Sequence, residues 1–359
     1  MSSRNGSHKG PLVAAVLAGS WRSSNYPPLT IDPDALQEVT PLLCRSGAAA
    51  LAWRRIKDTA LANSPAGETL RDTYRHQSLR SGIHEQQVEK VFRLFREAGV
   101  DAFLIKGWAA ATLYEQPDLR PAGDIDMCVR PEHADKAIAA LTDSDCSIDF
   151  HTSLAEIGER SFDDLFARSR TVPLGAEHVR MLCTEDHLAL LCIHLLKHGG
   201  WRPLWLCDIA AAVESLPPNF NWDICLGKHE QRARWIACTF GLAERLLQAD
   251  VSRVPLGRDQ MRVPEWILET VLYHWSRLFP GDALPMRAAP LMSDTLKQRR
   301  DILKNIRERW PDPITATFNL HGSVNNYPRF PYQLAEFLRI GVQFVFASSG
   351  KNHPESDIA

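Results

Sequence analysis

The sequence lacks an excess of charge of either sign. It contains 41 Lys and Arg residues against 43 Asp and Glu residues, which gives a formal net charge of -2 at pH 7. A chain with this balance has no bulk attraction for a long nucleic acid or for an anionic membrane surface. We therefore expect its partners to be neither long nucleic acids nor membranes.

The sequence also lacks a CxxC pair and a long apolar run. Most of its eight cysteines lie inside apolar segments such as Leu190–Ile193, which argues against a zinc ribbon or a disulfide scaffold. The most apolar late segment, Phe337–Ala347, contains Arg339 and Gln343 and is shorter than the ~20 residues of a spanning helix. These absences predict a protein of the reducing cytoplasm.

A chain of 359 residues is too long for a single hydrophobic core of ordinary size, so two or three packed units are expected. Helical periodicity extends from residue 34 to Gly99, and its apolar positions include Leu79 and Ile83. The segment that follows alternates short strands and helices, with strands predicted at 102–105, 124–129, 147–151 and 178–182. Helices return at residue 184, so an α/β unit is predicted between two helical regions.

Three carboxylates in the α/β unit have the pattern of a metal site. Asp124 and Asp126 are two positions apart on a predicted strand, so they project to the same side, roughly 6–7 Å apart. Their mutual repulsion favours a bound cation, and carboxylates suit Mg²⁺, or Mn²⁺ in its place. Asp149, on the next strand, would complete a cradle for two metal ions and supply a base for phosphoryl transfer.

A phosphate site is predicted beside these carboxylates. Lys106 and Gly107 follow a buried strand and precede a short helix, 108–115, where a flexible glycine, a helix N-terminus and an ammonium group favour an anion. Arg120 lies in the loop before the Asp pair and is placed to reach a triphosphate or pyrophosphate. An isolated Asp-x-Asp usually marks a solvated strand edge, so the prediction depends on the order of all these elements.

This order resembles a known family. Leu104–Gly107, Leu119–Asp126 and Ile148–His151 look like the uncharacterised nucleotidyltransferase family of the DNA polymerase β-like nucleotidyltransferase superfamily. The resemblance extends from the N-terminal helices to about Glu214. It implies two Mg²⁺ ions on an acidic triad, matched here by Asp124, Asp126 and Asp149, and transfer of a nucleoside monophosphate from an NTP to a hydroxyl.

The resemblance also implies the fold class. We expect an α+β protein in which a small mixed β-sheet forms the nucleotidyltransferase core, residues 100–183. A helical region, residues 1–99, and a helical domain, residues 184–359, would flank this core. One departure concerns nucleotide binding, because the wider superfamily usually has Gly-Ser where this chain has Lys106-Gly107.

The first helix after the core carries a cluster of basic and aromatic groups. His194, Lys197 and His198 lie within about one turn, but Leu195 occupies the position of the glutamate in a zinc-binding HExxH motif, so a zinc site is discounted. Two interpretations remain. Either these side chains contact the phosphates or base of the nucleotide, or His194 packs in the core with Asp208 as its hydrogen-bond partner.

The leading hypothesis is an Mg²⁺-dependent nucleotidyltransferase that uses an NTP donor. Its acceptor would be a hydroxyl of a small molecule, sugar, peptide or protein. The alternatives are a non-catalytic module that binds nucleotide for regulation, and a toxin-like enzyme that modifies tRNA or a protein by the same chemistry.

Overall fold

The computed structural model describes residues 8–142, 144–158, 160–278 and 310–349. Helices account for most of these residues. The helices before the sheet are α1 (Lys9–Leu17), α2 (Pro33–Arg45), α3 (Ala49–Ile56) and α4 (Pro65–Ala98). Those within the sheet region are α5 (Trp108–Ala111), α6 (Ala134–Leu141) and α7 (Phe162–Arg168). After it come α8 (Thr184–Lys197), α9 (Pro203–Glu214), α10 (Trp222–Leu226), α11 (Glu230–Leu247), α12 (Glu265–Trp275), α13 (Pro313–Asn319) and α14 (Phe330–Ser349).

The strands form one small mixed sheet, so the predicted α+β class is confirmed. They are β1 (Ala102–Leu104), β2 (Ile125–Val129), β3 (Ile148–His151), β4 (Arg170–Leu174) and β5 (Glu177–Met181), in the order β3-β2-β1-β5-β4. The β1–β2 and β4–β5 pairs are antiparallel, whereas β2–β3 and β1–β5 are parallel. The C-terminal end of β1 and the N-terminal ends of β2 and β3 therefore lie at the same end of the sheet.

The two faces of the sheet are buried against different sets of helices. Ile125, Met127 and Val129 of β2 belong to a cluster that includes the C-terminal half of α4 and residues of α6. Cys128, on the opposite face, belongs to a larger cluster built mainly from helices. Because side chains alternate along a strand, Asp126 also lies on this second face, toward the helices that follow the sheet.

Helix α4 begins at a capping serine and ends at a glycine. The Ser64 side chain accepts a hydrogen bond from the Gly67 amide at 3.1 Å, which caps the first turn. Gly99 follows the last turn with a φ of 62°, a left-handed conformation that glycine adopts without a steric penalty. The 34 residues between these signals span roughly 50 Å, so one helix reaches from the N-terminal helices to the sheet.

The middle of α4 departs from the predicted apolar stripe. Leu79 and Ile83 are 71% and 58% exposed, whereas Ser81 and His84 are buried. The reason is that the two ends of α4 pack on different clusters, and its middle turns bridge them beside the loops at the edge of the sheet. The buried face of α4 therefore changes along the helix, and one helical periodicity of apolar residues does not describe all of it.

Strand β4 was not predicted, and Pro173 accounts for this. Proline cannot donate a backbone hydrogen bond, so it argues against a central strand and is tolerated at an edge. The structure places β4 at the outer edge of the sheet, paired only with β5 among the described strands.

Helices from both ends of the chain share one core. Helix α1 contacts α2, α11 and α12, and buried residues from α1 through α12 form a single large cluster. The predicted boundaries at 99/100 and 183/184 coincide with the limits of the sheet region but remain predictions as domain limits. Residues 279–309 and 350–359 of the predicted C-terminal region lie outside the described residues. Within the described ranges, no helix is both long and apolar enough to cross a membrane.

Burial of His187 in α8 makes the fold sensitive to acid. Burial, with smaller contributions from Arg170 and Arg120, lowers the pKa of His187 to about 3. The folded protein thus keeps this imidazole neutral while the unfolded chain protonates near pH 6.5, so stability falls as pH drops below 6.5.

Between pH 6 and 5, we expect His187 to lower the free energy of unfolding of the wild type by about 1 kcal/mol per pH unit. The His187→Asn variant should lack this contribution. The free energy of unfolding, measured by urea titration at each pH, tests the expectation. His178→Asn, on the exposed side of β5, is the matched control and should keep the wild-type slope. A wild-type slope in His187→Asn would contradict the account.

Candidate active site

Two of the three predicted carboxylates are direct neighbours in the sheet. Strands β2 and β3 pair in parallel with Asp126 opposite Asp149. Directly paired residues of adjacent strands project from the same face, so both side chains point away from the cluster that buries Ile125 and Met127. Asp124 directly precedes β2 and is exposed. The structure therefore brings Asp149 next to Asp126, whereas Asp124 lies outside the group that these two form.

A histidine that the sequence analysis did not assign joins these carboxylates. Asp126, Asp149 and His151 each contribute a ligand atom to a group in which all the atoms lie within 4.8 Å of one another. His151 Nε2 is 3.2 Å from Asp149 Oδ2, and it makes no hydrogen bond of acceptable geometry to any described residue. The alternation that predicted Asp124 beside Asp126 also places His151 beside Asp149, so the signal was in the sequence.

The environment of Asp126 opposes its ionisation. Burial raises the pKa of this carboxyl, and the nearby Asp124 and Asp149 raise it further. Lys106 acts in the opposite direction, because its Nζ lies 3.4 Å from Asp126 Oδ1. The predicted lysine and the predicted carboxylates therefore belong to one group.

Gly107 allows this approach. Its φ of 58° and ψ of -115° form a conformation that residues with a side chain rarely adopt. A Cβ at this position would lie 3.1 Å from the Asp124 carbonyl oxygen and 3.8 Å from Asp126 Oδ2. The helix that follows, α5, has only four residues instead of the eight predicted, so its dipole contributes little to anion binding.

Arg120 is buried beside Gly107. It is 6% exposed, and its guanidinium donates from Nη2 to Asp208 Oδ2 at 3.1 Å and from Nη1 to the Gly107 carbonyl at 3.2 Å. Asp208 is fully buried and also accepts from the Tyr114 hydroxyl at 2.7 Å. Asp208 is therefore hydrogen-bonded to Arg120 and Tyr114, whereas one interpretation of the sequence paired it with His194.

The C-terminal turn of α8 carries a second lysine that is paired with a carboxylate. Lys197 Nζ lies 3.2 Å from Oε1 of Glu156, which is mostly buried. Burial alone would raise the pKa of Glu156, but Lys197 and the more distant Lys106 lower it, and the net shift is downward. Lys197 of α8 thus contacts Glu156 directly, and Lys106 affects the same carboxylate by its charge.

His194 and His198 form an aromatic group with Trp205. The ring centroids of His194 lie 4.5 Å from His198 and 4.4 Å from Trp205. Burial, followed by Lys197 and Lys106, lowers the pKa of His198 to about 4, and burial also lowers the pKa of His194. Both imidazoles therefore favour the neutral form.

Two further side chains near Asp124 were not assigned from the sequence. His84 of α4 is 4% exposed, and its Nε2 has no hydrogen-bond partner among the described residues. Burial, then Arg120, lowers the pKa of His84, while Asp124 opposes this shift. Arg202, between α8 and α9, donates from Nε to the Ser46 carbonyl at 2.8 Å. Neither residue belongs to a recognisable sequence motif, so their position near Asp124 could be found only from the structure.

The comparisons with known proteins decide the family. The model of the uncharacterised nucleotidyltransferase family matches two overlapping segments, residues 32–155 and 143–247, which together cover more than half of the chain. The chain belongs to the uncharacterised nucleotidyltransferase family. No curated protein and no solved structure matches it.

The region that defines this nucleotidyltransferase family contains the whole candidate site. Lys106, the three carboxylates and helices α8 and α9 all lie within the matched residues. A separate surface cleft of about 690 Å³ is lined by residues on both sides of the end of the match, among them Glu244, Arg258 and Trp266.

The charge on Asp126 should reduce the stability of the metal-free protein. The folded state raises the pKa of this carboxyl, so its ionised form opposes folding at neutral pH. We expect Asp126→Asn in EDTA to raise Tm by about 2 °C or more. The control Asp145→Asn, on the exposed loop before β3, should leave Tm unchanged. A lower Tm for Asp126→Asn would contradict this assignment.

The Arg120–Asp208 pair should contribute strongly to stability. Removing one partner of a buried pair leaves the other charge uncompensated, so Asp208→Asn should lose about 3 kcal/mol of unfolding free energy. Asp72→Asn removes one member of an exposed pair with Arg75 and should change little. Equal effects of the two variants in chemical denaturation would show that the buried pair is not important.

Proposed function

We propose that this protein transfers a nucleoside monophosphate from an NTP to an acceptor hydroxyl. In this reaction the acceptor oxygen bonds to the α-phosphorus, the bond from that phosphorus to the bridging oxygen breaks, and pyrophosphate leaves. The hydroxyl proton passes to a base. Family membership supports nucleotidyl transfer in general, and the geometry of the carboxylates supports the metal-dependent form.

The donor set fits a divalent metal ion. Asp126 and Asp149 present carboxylate oxygens, which hard cations prefer, and the buried Nε2 of His151 lacks another partner. Asp124 is close enough to raise the pKa of Asp126 and would serve a second ion. When bound, Mg²⁺ ions would neutralise the triphosphate and acidify the acceptor hydroxyl.

The carboxylates have separate roles in this proposal. Asp126 is mostly buried between Lys106 and the other acidic groups, so it would hold the site together. Asp149 is more exposed and lies on edge strand β3, where an acceptor can approach. It would therefore accept the proton of the attacking hydroxyl.

Lys106 and Lys197 would contact the phosphates. Each ammonium has three N–H donors and uses one on Asp126 or Glu156, so donors remain for phosphate oxygens. Gly107 keeps the backbone beside Lys106 open to a ligand, as no Cβ occupies that space. Arg120 would act indirectly, by holding the Gly107 carbonyl, instead of contacting the phosphates as first expected.

The nucleobase would lie against the helical domain. His194 and His198 are neutral, so they suit hydrogen bonding or stacking better than an ion pair with phosphate. Trp205 adds an aromatic surface to this group. The acceptor stays the hydroxyl of a small molecule, sugar, peptide or protein.

The register pairing of Asp126 with Asp149 carries this proposal, and pyrophosphate release tests it. The full chain is incubated with each NTP and candidate acceptor mixtures, in Mg²⁺, in Mn²⁺ or in EDTA. We expect metal-dependent release that falls at least about a hundredfold in Asp126→Asn and Asp149→Asn, because each removes charge stabilisation worth several kcal/mol. Asp124→Asn should also lose activity.

Asp145→Asn is the matched control, since it removes a carboxylate only four residues before Asp149 and should keep full activity. Release that persists in EDTA, or in Asp126→Asn, would contradict the proposed mechanism. Nucleotide binding without turnover in every acceptor mixture would favour the regulatory module.

A further inference from the structure

The strand that carries Asp149 offers a nitrogen ligand as well as an oxygen ligand. His151 is two residues after Asp149 on β3, so both side chains lie on the face of the sheet that also carries Asp126 of β2. Its Nε2 lies 3.2 Å from Asp149 Oδ2, and one of its ring nitrogens belongs to the 4.8 Å group of ligand atoms. The family pattern described above, with carboxylates alone, does not include this nitrogen.

The interactions of His151 do not explain its placement. The Nε2 atom is buried and forms no hydrogen bond to any residue in the described part of the chain, although a carboxylate oxygen is near. A hydrogen bond to Asp149 would need better alignment than the structure shows. A buried imidazole nitrogen beside two carboxylates is well placed to bind a cation.

We propose that His151 is a ligand of the ion held by Asp126 and Asp149 and that it makes this site prefer Mn²⁺ to Mg²⁺. Imidazole nitrogen binds first-row transition ions more strongly than it binds Mg²⁺, which favours oxygen ligands and retains its water. Asp124 lies outside the 4.8 Å group, so the three closest ligands are two oxygens and one nitrogen. This inference depends on the proposed metal-dependent function and concerns the identity of its ion.

Metal binding by the whole 359-residue chain, without nucleotide, tests the inference. Free Mn²⁺ is measured by electron paramagnetic resonance during titration, and Mg²⁺ affinity is measured by competition. For His151→Asn we expect Mn²⁺ affinity to fall about tenfold or more while Mg²⁺ affinity changes less than about threefold. His178→Asn, an exposed histidine on β5, should leave both affinities unchanged.

A spectroscopic readout on the wild-type protein avoids any effect of the substitution on folding. Electron spin echo modulation of bound Mn²⁺ should show coupling to an imidazole nitrogen, and His151→Asn should abolish that coupling. Wild-type protein without nitrogen coupling, or an unchanged ratio of Mn²⁺ to Mg²⁺ affinity in His151→Asn, would overturn the inference.

The carboxylate variants separate this inference from the proposed function. If Asp126→Asn and Asp149→Asn weaken both ions while His151→Asn changes neither, the metal site stands and His151 is not its ligand. If the two Asp variants bind both ions as wild type does, the metal site itself is refuted.

Discussion

The parallel register of β2 and β3 is the constraint on which the site depends. It places Asp126 and Asp149 side by side on one face, while the alternate residues of β2 anchor the opposite face in the core. Two carboxylates this close repel each other, and the raised pKa of Asp126, caused first by burial, reflects that environment. Such an arrangement is unfavourable for folding alone and would become favourable with a bound cation.

The turn after β1 and the helices after the sheet position charged side chains near Asp126 and Asp149. Gly107 turns the chain so that Lys106 reaches Asp126, and Arg120 fixes the turn by bonding to the Gly107 carbonyl. Asp208, on α9, holds Arg120 in turn, so the helices after the sheet determine the position of a loop within it. The core shared by helices from both ends of the chain gives this connection its rigidity.

Local periodicity indicated part of the candidate site. Alternation predicted Asp124 and Asp126 on one side of a strand, and the same rule would have found His151 beside Asp149. In the structure Asp124 precedes β2 and lies outside the group formed by Asp126, Asp149 and His151. The partner of Arg120 could not be predicted, because Asp208 lies 88 positions away and no local pattern indicates it. Strand β4 was missed because Pro173 is a residue that usually excludes strands. The sequence therefore indicated that Asp126 and Asp149 lie on neighbouring strands, but not that the helices bury Arg120.

The most direct test of the central claim is an anomalous diffraction map from crystals soaked with Mn²⁺ and a non-hydrolysable NTP analogue. The account predicts an anomalous peak about 2.0–2.6 Å from carboxylate oxygens of both Asp126 and Asp149, with the triphosphate on the side of Lys106. A peak that contacts neither carboxylate, or a triphosphate bound elsewhere, would contradict it.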